Sequence, residues 1–422
     1  MPKNTNECLS LSNEEGDEEL EFPEAEACKL FEQCQWLACF HPGIDADILR
    51  SGKFKKIRKA IMMLATLMLL SSLAWAAASD DASSYPRKIV DSAGREVVIK
   101  MPVERIIVQS GYSAEAVAAL GDSDKIIGVT QTIHDRPEIY PQLKDKQVVG
   151  TWNSFDYEKI GEIAREGDSI VPNIIVLCYS YGTSSGKSYA VDSFEKGFAP
   201  FQNISLIGLD FTNPENVTDS MMKLGIILGR EKEAKAYNKW NEEKTSQIEE
   251  AVDGMPLQKV YIESGSSTGT SDLTVYGPGS GFASLVGLAG GLNIADSLSG
   301  KFPKVSWEWV MDERPDVILK YKSADTLGWQ AGPSKDTLDL EISRNEVLSR
   351  PGSDSIPAVE NDRVFLCFSE MLYGLDNPVG LAYMAKLLHP EADINPSAIW
   401  EEYQKVMGSS YPEDRIFVYP EE

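Results

Sequence analysis

The chain has 422 residues, room for two or three domains, and its 42% hydrophobic and 25% charged content excludes a wholly disordered chain or a multi-span membrane protein. A formal net charge of -25 is repelled by phosphate backbones and by anionic lipid. No nucleic-acid partner is therefore expected, and a membrane partner has to be reached by specific docking.

Residues 1–52 read as an acidic N-terminal extension. The first fifty carry twelve acids against Lys3, Lys29 and Arg50, together with Cys8, Cys28, Cys34 and Cys39. Those cysteine spacings lack the paired C-x2-C of a structural zinc site. The segment is expected to be disordered, or to lie upstream of a true start near Leu49. Residues 53–78 combine KFKKIRK, a charge-free Leu/Met-rich stretch from Ala60 and an Ala-x-Ala end, the three parts of a secretory signal peptide. The stretch 60–78 is also just long enough to anchor the chain in a bilayer. The expected location is extracytoplasmic. Mass spectrometry of the native protein decides whether residues 1–48 are made.

Past the signal, residues 79–230 alternate strand and helix signals. Ile89–Val90 and Val97–Ile99 flank a Gly-containing turn and predict a hairpin. RIIVQS is a buried strand, followed by a short helix with Ser113 at its N-cap and Gly121 at its end. KIIGVT, NIIVLCYS and ISLIGLDF read as strands, DYEKIGEIA as a helix. Asn213-Pro214-Glu215 opens a further helix with cap, proline and acid in order. Residues 231–252 form a charged helix, polar over most of its surface, which suits a solvent-bridging element between two lobes. Residues 253–422 restart the alternation with KVYIES, SWEWVMDE, DVILKYKS and RVFLCFS, and close on two helices. Cys178 and Cys367, inside apolar runs, read as buried thiols.

Continuous apolar strands alternating with helices predict parallel sheets covered on both faces. The fold expected is α/β, with two doubly wound parallel-sheet lobes joined by a single long helix and a ligand cleft between them. A weak repeat supports the two lobes: FDYEKI…PNIIVL is echoed by VSWEWV…PDVILK, with a helix-to-strand loop seven residues longer in the first copy.

The stretches PVERIIVQSGYSAEAVAALGDSDKIIGVT, VVGTWNSFDYEKI and GLAGGLNIADSLSGKFPKVSWEWVMDERPDVILK, with the tail motifs AVENDRVFL and GLAYMAKLLHPE, resemble class III periplasmic binding proteins in content and order. That family serves ABC importers of ferric siderophores, haem and vitamin B12. The resemblance implies capture of one bulky ligand, a metal chelate or a corrinoid containing iron or cobalt, with no cofactor or resident metal of the protein's own and no catalysis. It implies ABC importer membrane subunits as partners, met through Glu158 on one lobe and Glu308 on the other. Two exposed carboxylates can meet arginines through charge-assisted bonds. It places Trp152 in the cleft. By the same strand-end logic the other ligand-binding candidates are Tyr112, Tyr179, Tyr181, Tyr276 and Tyr373, whose rings give wide contact at small entropic cost. Arg136 is a candidate for an anionic group on the ligand, and His134 for its metal. Related chains often carry an arginine before the GLAYMAK helix; LDNPVGLAYMAK has none, which counts against a highly anionic tris-catecholate.

Gly182-Thr-Ser184-Ser-Gly186 and Gly265-Ser-Ser267-Thr-Gly269 fit the G-x-S-x-G elbow of α/β-hydrolases, so a secreted serine hydrolase is the alternative. Neither runs at once into an apolar helix, and His389 is explained by helix capping. The P-loop-like run ending in Lys187-Ser188 is one residue short.

Overall fold

The computed structural model describes residues 85–137, 139–180, 189–322, 337–408 and 416–420. The acidic extension, the segment 53–78 with its signal reading, Tyr181 and Ser184 lie outside the described residues. Residues 82–422 form one compact unit.

The side-chain alternation of the strands shows why both sheets are sandwiched. The first lobe contains β1 (Arg87–Val90), β2 (Glu96–Ile99), β3 (Arg105–Val108), α1 (Gly111–Ala119), β4 (Ile126–Val129), β5 (Gln147–Val148) and α2 (Tyr157–Ile163). It continues through β6 (Ile174–Tyr179), α3 (Val191–Phe198), β7 (Ile204–Leu209) and α4 (Pro214–Leu228). Along β6, Ile175 and Leu177 enter one core layer, and Ile174, Val176 and Cys178 the other. A strand buried on both sides cannot carry polar alternation, hence the unbroken apolar run. The five strands pair in parallel in the order β7-β6-β3-β4-β5, and the β1–β2 hairpin is antiparallel.

After α5 (Glu231–Val252) the second lobe repeats the scheme. It comprises β8 (Gln258–Ser264), α6 (Phe282–Leu288), β9 (Gly291–Asn293), α7 (Trp307–Glu313), β10 (Val317–Lys322) and α8 (Leu338–Leu348). It closes with β11 (Val364–Phe368), α9 (Asn377–Leu388), α10 (Pro396–Met407) and β12 (Val418–Tyr419). The sheet order is β9-β8-β10-β11-β12, parallel except for the last pair. Val260 and Ile262 face one layer and Tyr261 the other, as expected of a doubly wound sheet. The weak repeat becomes a structural one. The segment between α2 and β6, where the first copy is longer, holds a small hairpin, Arg165–Glu166 with Ser169–Ile170.

Three local expectations are corrected. The N-cap of α1 is Ser110, whose Oγ accepts from the Ser113 amide; Ser113 lies in the first turn. The long helix is not solvent-bridging. Ala234, Tyr237, Trp240, Ile248 and Val252 form a buried stripe inside a core layer that draws on both lobes, leaving only the opposite face charged. Tyr237 Oη donates to the Leu375 carbonyl at 2.8 Å, and Lys244 meets Glu402 at 2.7 Å. Sparse apolar residues at helical spacing are enough to seat such a helix when they are large and aromatic. His389 does more than end its helix: it is buried, with Nε2 3.1 Å from the Gly290 carbonyl. Cys178 and Cys367 are free and buried, and burial pushes both thiols well above their usual range. Among the described residues no helix is long and apolar enough to cross a membrane.

Candidate functional site

A parallel sheet ends at its carboxyl edge in loops, and one buried side chain organises that edge in the first lobe. Gln109 follows β3 and is fully buried. Its Nε2 donates to the Trp152 carbonyl at 2.6 Å, and its Oε1 accepts from the Tyr179 amide at 2.9 Å. Its own carbonyl accepts from Thr130 Oγ1 at 2.8 Å. The Gln109 amide thus ties the loop after β5 to the end of β6, and its backbone carbonyl ties in the loop after β4, in keeping with the rule that buried polar groups find partners.

The surface so built is one wall of a cleft of about 490 Å³ between the lobes. Tyr112, Trp152, Tyr179, Tyr189, Asp210 and Asn213 line it from the first lobe. Ser280, Lys301, Phe302 and Tyr373 line it from the second. Trp152 is 44% exposed, with its ring edge against Tyr189 at 5.0 Å, and Phe302 is 54% exposed. Large aromatic surface left open to solvent is the feature that marks a binding site. Gly374, at φ +78°, lets the lobes close around Tyr112: a Cβ there would stand 2.6 Å from the Tyr112 ring. No L side chain is comfortable at that φ or in that space.

At one end the cleft passes into a smaller pocket of about 140 Å³ that shares Tyr112, Trp152 and Tyr179. Its other walls include Glu115, Arg136, Tyr140, Glu370 and Asp376. Arg136 Nη1 reaches Glu370 Oε2 at 3.4 Å, an ion pair from one lobe to the other. Glu115 accepts from Tyr140 at 2.9 Å and from Tyr403 at 3.3 Å. Burial pushes its carboxyl up to about 7, against those two hydrogen bonds. Burial and then the charge of Glu115 hold Asp376 well above the usual carboxylate range. Burial, with Glu370 adding to it, keeps the Tyr112 phenol protonated.

The structure therefore brings Tyr112, Trp152, Tyr179, Tyr373 and Arg136 together. Tyr276 does not line the cleft; its ring packs 5.7 Å from Phe302, which does, and 5.3 Å from Tyr321. His134 sits on the surface beside Asp135 at 3.4 Å. Sequence reasoning missed Glu115, Asp376, Tyr189 and Phe302. The one available signal for Glu115 was a lone acid in an otherwise apolar helix, SAEAVAAL. Glu158 and Glu308 occupy the same place in the two lobes: each is exposed in the first turn of its helix, two residues after a capping Asp156 or Ser306. Neither makes an ion pair among the described residues. Ser267, the hydrolase candidate, is buried, and its Oγ accepts from the Thr274 amide at 2.9 Å. Its carbonyl accepts from Lys320, and no histidine meets it among the described residues.

Two doubly wound lobes around a central helix, with an aromatic cleft between them, define a protein built to hold a solute. The chain belongs to the periplasmic binding protein family, whose profile matches residues 106–371. Solved structures agree in fold. A TroA-like periplasmic binding protein, FepB, from Veillonella parvula is 21% identical with a TM-score of 0.62, covering 79% of this chain and 99% of its own. MolA from Haemophilus influenzae, bound to molybdate, is 18% identical with a TM-score of 0.56, over 77% and 99%. Helicobacter pylori CeuE with Ni(II) bound is 18% identical with a TM-score of 0.55, over 76% and 95%. No curated protein matches the sequence.

Proposed function

We propose that this protein captures a compact metal chelate outside the cytoplasm and delivers it to the membrane subunits of an ABC importer. The observation that carries the reading is the interlobal cleft with Trp152, Phe302, Tyr112 and Tyr373 facing its interior. Aromatic walls of that kind suit a broad, largely apolar solute, and rigid rings bind it at low entropic cost. The cleft volume of about 490 Å³ lies toward the lower part of the ~300–1,000 Å³ typical of ligand sites. That size favours a single-metal chelate such as a siderophore complex over a complete corrinoid. MolA holds molybdate and CeuE Ni(II), so the chemistry of the cargo rests on the cleft of this chain.

Closure of one lobe on the other is the binding step in this scheme. Arg136 and Glu370 meet across the cleft, and Tyr112 packs against Gly374, so a closed state has contacts of its own. Glu158 and Glu308 are proposed as the acids that engage arginines of the two permease subunits. The test is absorption spectroscopy and native mass spectrometry of protein purified from its source. A coloured, metal-bearing species bound one to one is expected. A colourless, metal-free solute in the cleft overturns the chelate reading.

A further inference from the structure

The small pocket at the end of the cleft has a composition that its aromatic neighbours do not explain. It gathers three carboxyl groups, Glu115, Glu370 and Asp376, against a single guanidinium, Arg136, which already faces Glu370. Asp376 is 4% exposed. Its own backbone amide aside, its carboxyl receives no hydrogen bond among the described residues. A buried carboxyl with no donor but its own amide costs stability unless it is protonated or a positive group reaches it. Tyr112, Tyr179 and Trp152 supply ring surface to the same small space. Carboxylates flanked by aromatic faces form the environment that attracts ammonium groups, through charge from the one and the ring quadrupole from the other.

Resting on the reading of the cleft as the cargo site, we infer that this pocket receives a compact organic cation, an ammonium end of the cargo, and so selects ligands that carry one. Burial raises the carboxyls of both Glu115 and Asp376 above the usual range, so each holds its proton more firmly in the empty pocket than a solvated acid does. An incoming cation favours their ionised forms, so its binding releases protons. Affinity then increases as pH rises through about 7, the value of Glu115. Glu370 and Arg136 face the same space and neutralise one another. An anionic arm in this position would meet the acids with only an engaged arginine to offset them.

The experiment is titration calorimetry on the protein carrying residues 79–422, in two buffers of different ionisation enthalpy. The probes are tetramethylammonium, a ferric trihydroxamate chelate with a terminal primary ammonium, and the same chelate N-acetylated. The ammonium chelate should bind about tenfold more tightly than the acetylated one, the scale of a single charge-assisted contact, and should release protons. Asp376→Asn should erase the preference, and Glu370→Gln provides a second variant should the first fail to fold. Equal affinity for the two chelates, or tighter binding of the acetylated one, overturns the inference and leaves the chelate reading standing. Binding of tetramethylammonium with proton release, while neither chelate binds, does the reverse. If all three probes fail to bind, both readings fall.

Discussion

Glu263 and Arg350 form a bidentate pair in the second lobe, Oε2 to Nη1 at 2.7 Å and Oε1 to Nη2 at 2.8 Å, with both side chains at or below 2% exposure. Lys320 joins Glu263 at 2.9 Å and Glu346 at 2.7 Å, and Tyr261 donates to Glu263 at 2.7 Å. The arginine also lies 4.8 Å over the ring of Trp307, the buried anchor of the helix that presents Glu308. The network thus holds a structural charge cluster and a proposed docking residue on one frame. Arg350→Met should destabilise the protein by about 3–5 kcal/mol, because Glu263 keeps its burial and loses its best partner. The double variant with Glu263→Gln should lose clearly less than the two single losses added together. Urea unfolding of the four proteins measures this, and a single-variant loss below ~1 kcal/mol would contradict the assignment.

Gln109 carries a second test, since its side chain joins the Trp152 loop to the end of β6. Gln109→Leu keeps the volume and removes both side-chain bonds, one to the Tyr179 amide and one to the Trp152 carbonyl, at a part-buried site. Each lost bond costs about 1 kcal/mol. Freed from that tie, Trp152 should also lose its fixed position. Ligand affinity is expected to fall about tenfold, and the fluorescence anisotropy of the tryptophans to drop. Unchanged affinity would mean that the loops hold their places without this residue.

Glu115 makes stability depend on pH in a direction opposite to that of a salt-bridged acid. Its carboxyl is raised from 4.5 to about 7 in the folded protein. Below the lower value it is protonated in both states, and its favourable contribution is complete. As pH climbs from the lower value through the higher one, the unfolded state has given up its proton while the folded state still holds it, so stability falls until the folded state ionises too. The upper limit is about 3 kcal/mol at 1.36 kcal/mol per unit, and the opening of Glu115 to the end pocket lowers it. Asp376 is displaced in the same direction, while Arg136 opposes the effect on Glu115. Glu115→Gln should gain on the natural protein by at least ~1 kcal/mol between pH 5 and pH 8 in paired unfolding curves. A difference that stays flat with pH would remove Glu115 as the source.

The sheets were legible in the sequence because strands buried on both faces leave a continuous apolar signature. RIIV, IIVLCY and VILKYK each run through a parallel sheet as read. Tyr112, Trp152, Tyr179 and Tyr373 were legible for a related reason: a residue just past a parallel strand stands at the edge where a cleft opens. Glu115 and Asp376 were not, since each is placed by packing between distant segments. Asp376 owes its burial to α9 and to the neighbourhood of α1, which strand periodicity does not encode. The long helix was misjudged because its buried stripe uses few residues, and averaging over its charged surface hid them. Arg136 lines the end pocket, but its partner Glu370, 234 positions away, could be found only from the fold.

Glu158 and Glu308 supply the prediction that separates capture from delivery. Each sits in the first turn of a seven-residue helix, exposed and without an ion pair among the described residues, at equivalent positions of the two lobes. Neither lines the cleft or its end pocket. Replacing both with lysine should therefore leave cargo affinity within about twofold, since exposed charges away from the lining are screened by water and salt. Uptake by cells carrying the partner permease should drop at least about tenfold, because both proposed arginine contacts would become repulsive at once. Restoring one glutamate should recover part of the uptake if the two lobes dock on separate subunits. Full uptake by the doubly reversed protein, with normal cargo binding, would show that the permease reads another surface of the molecule.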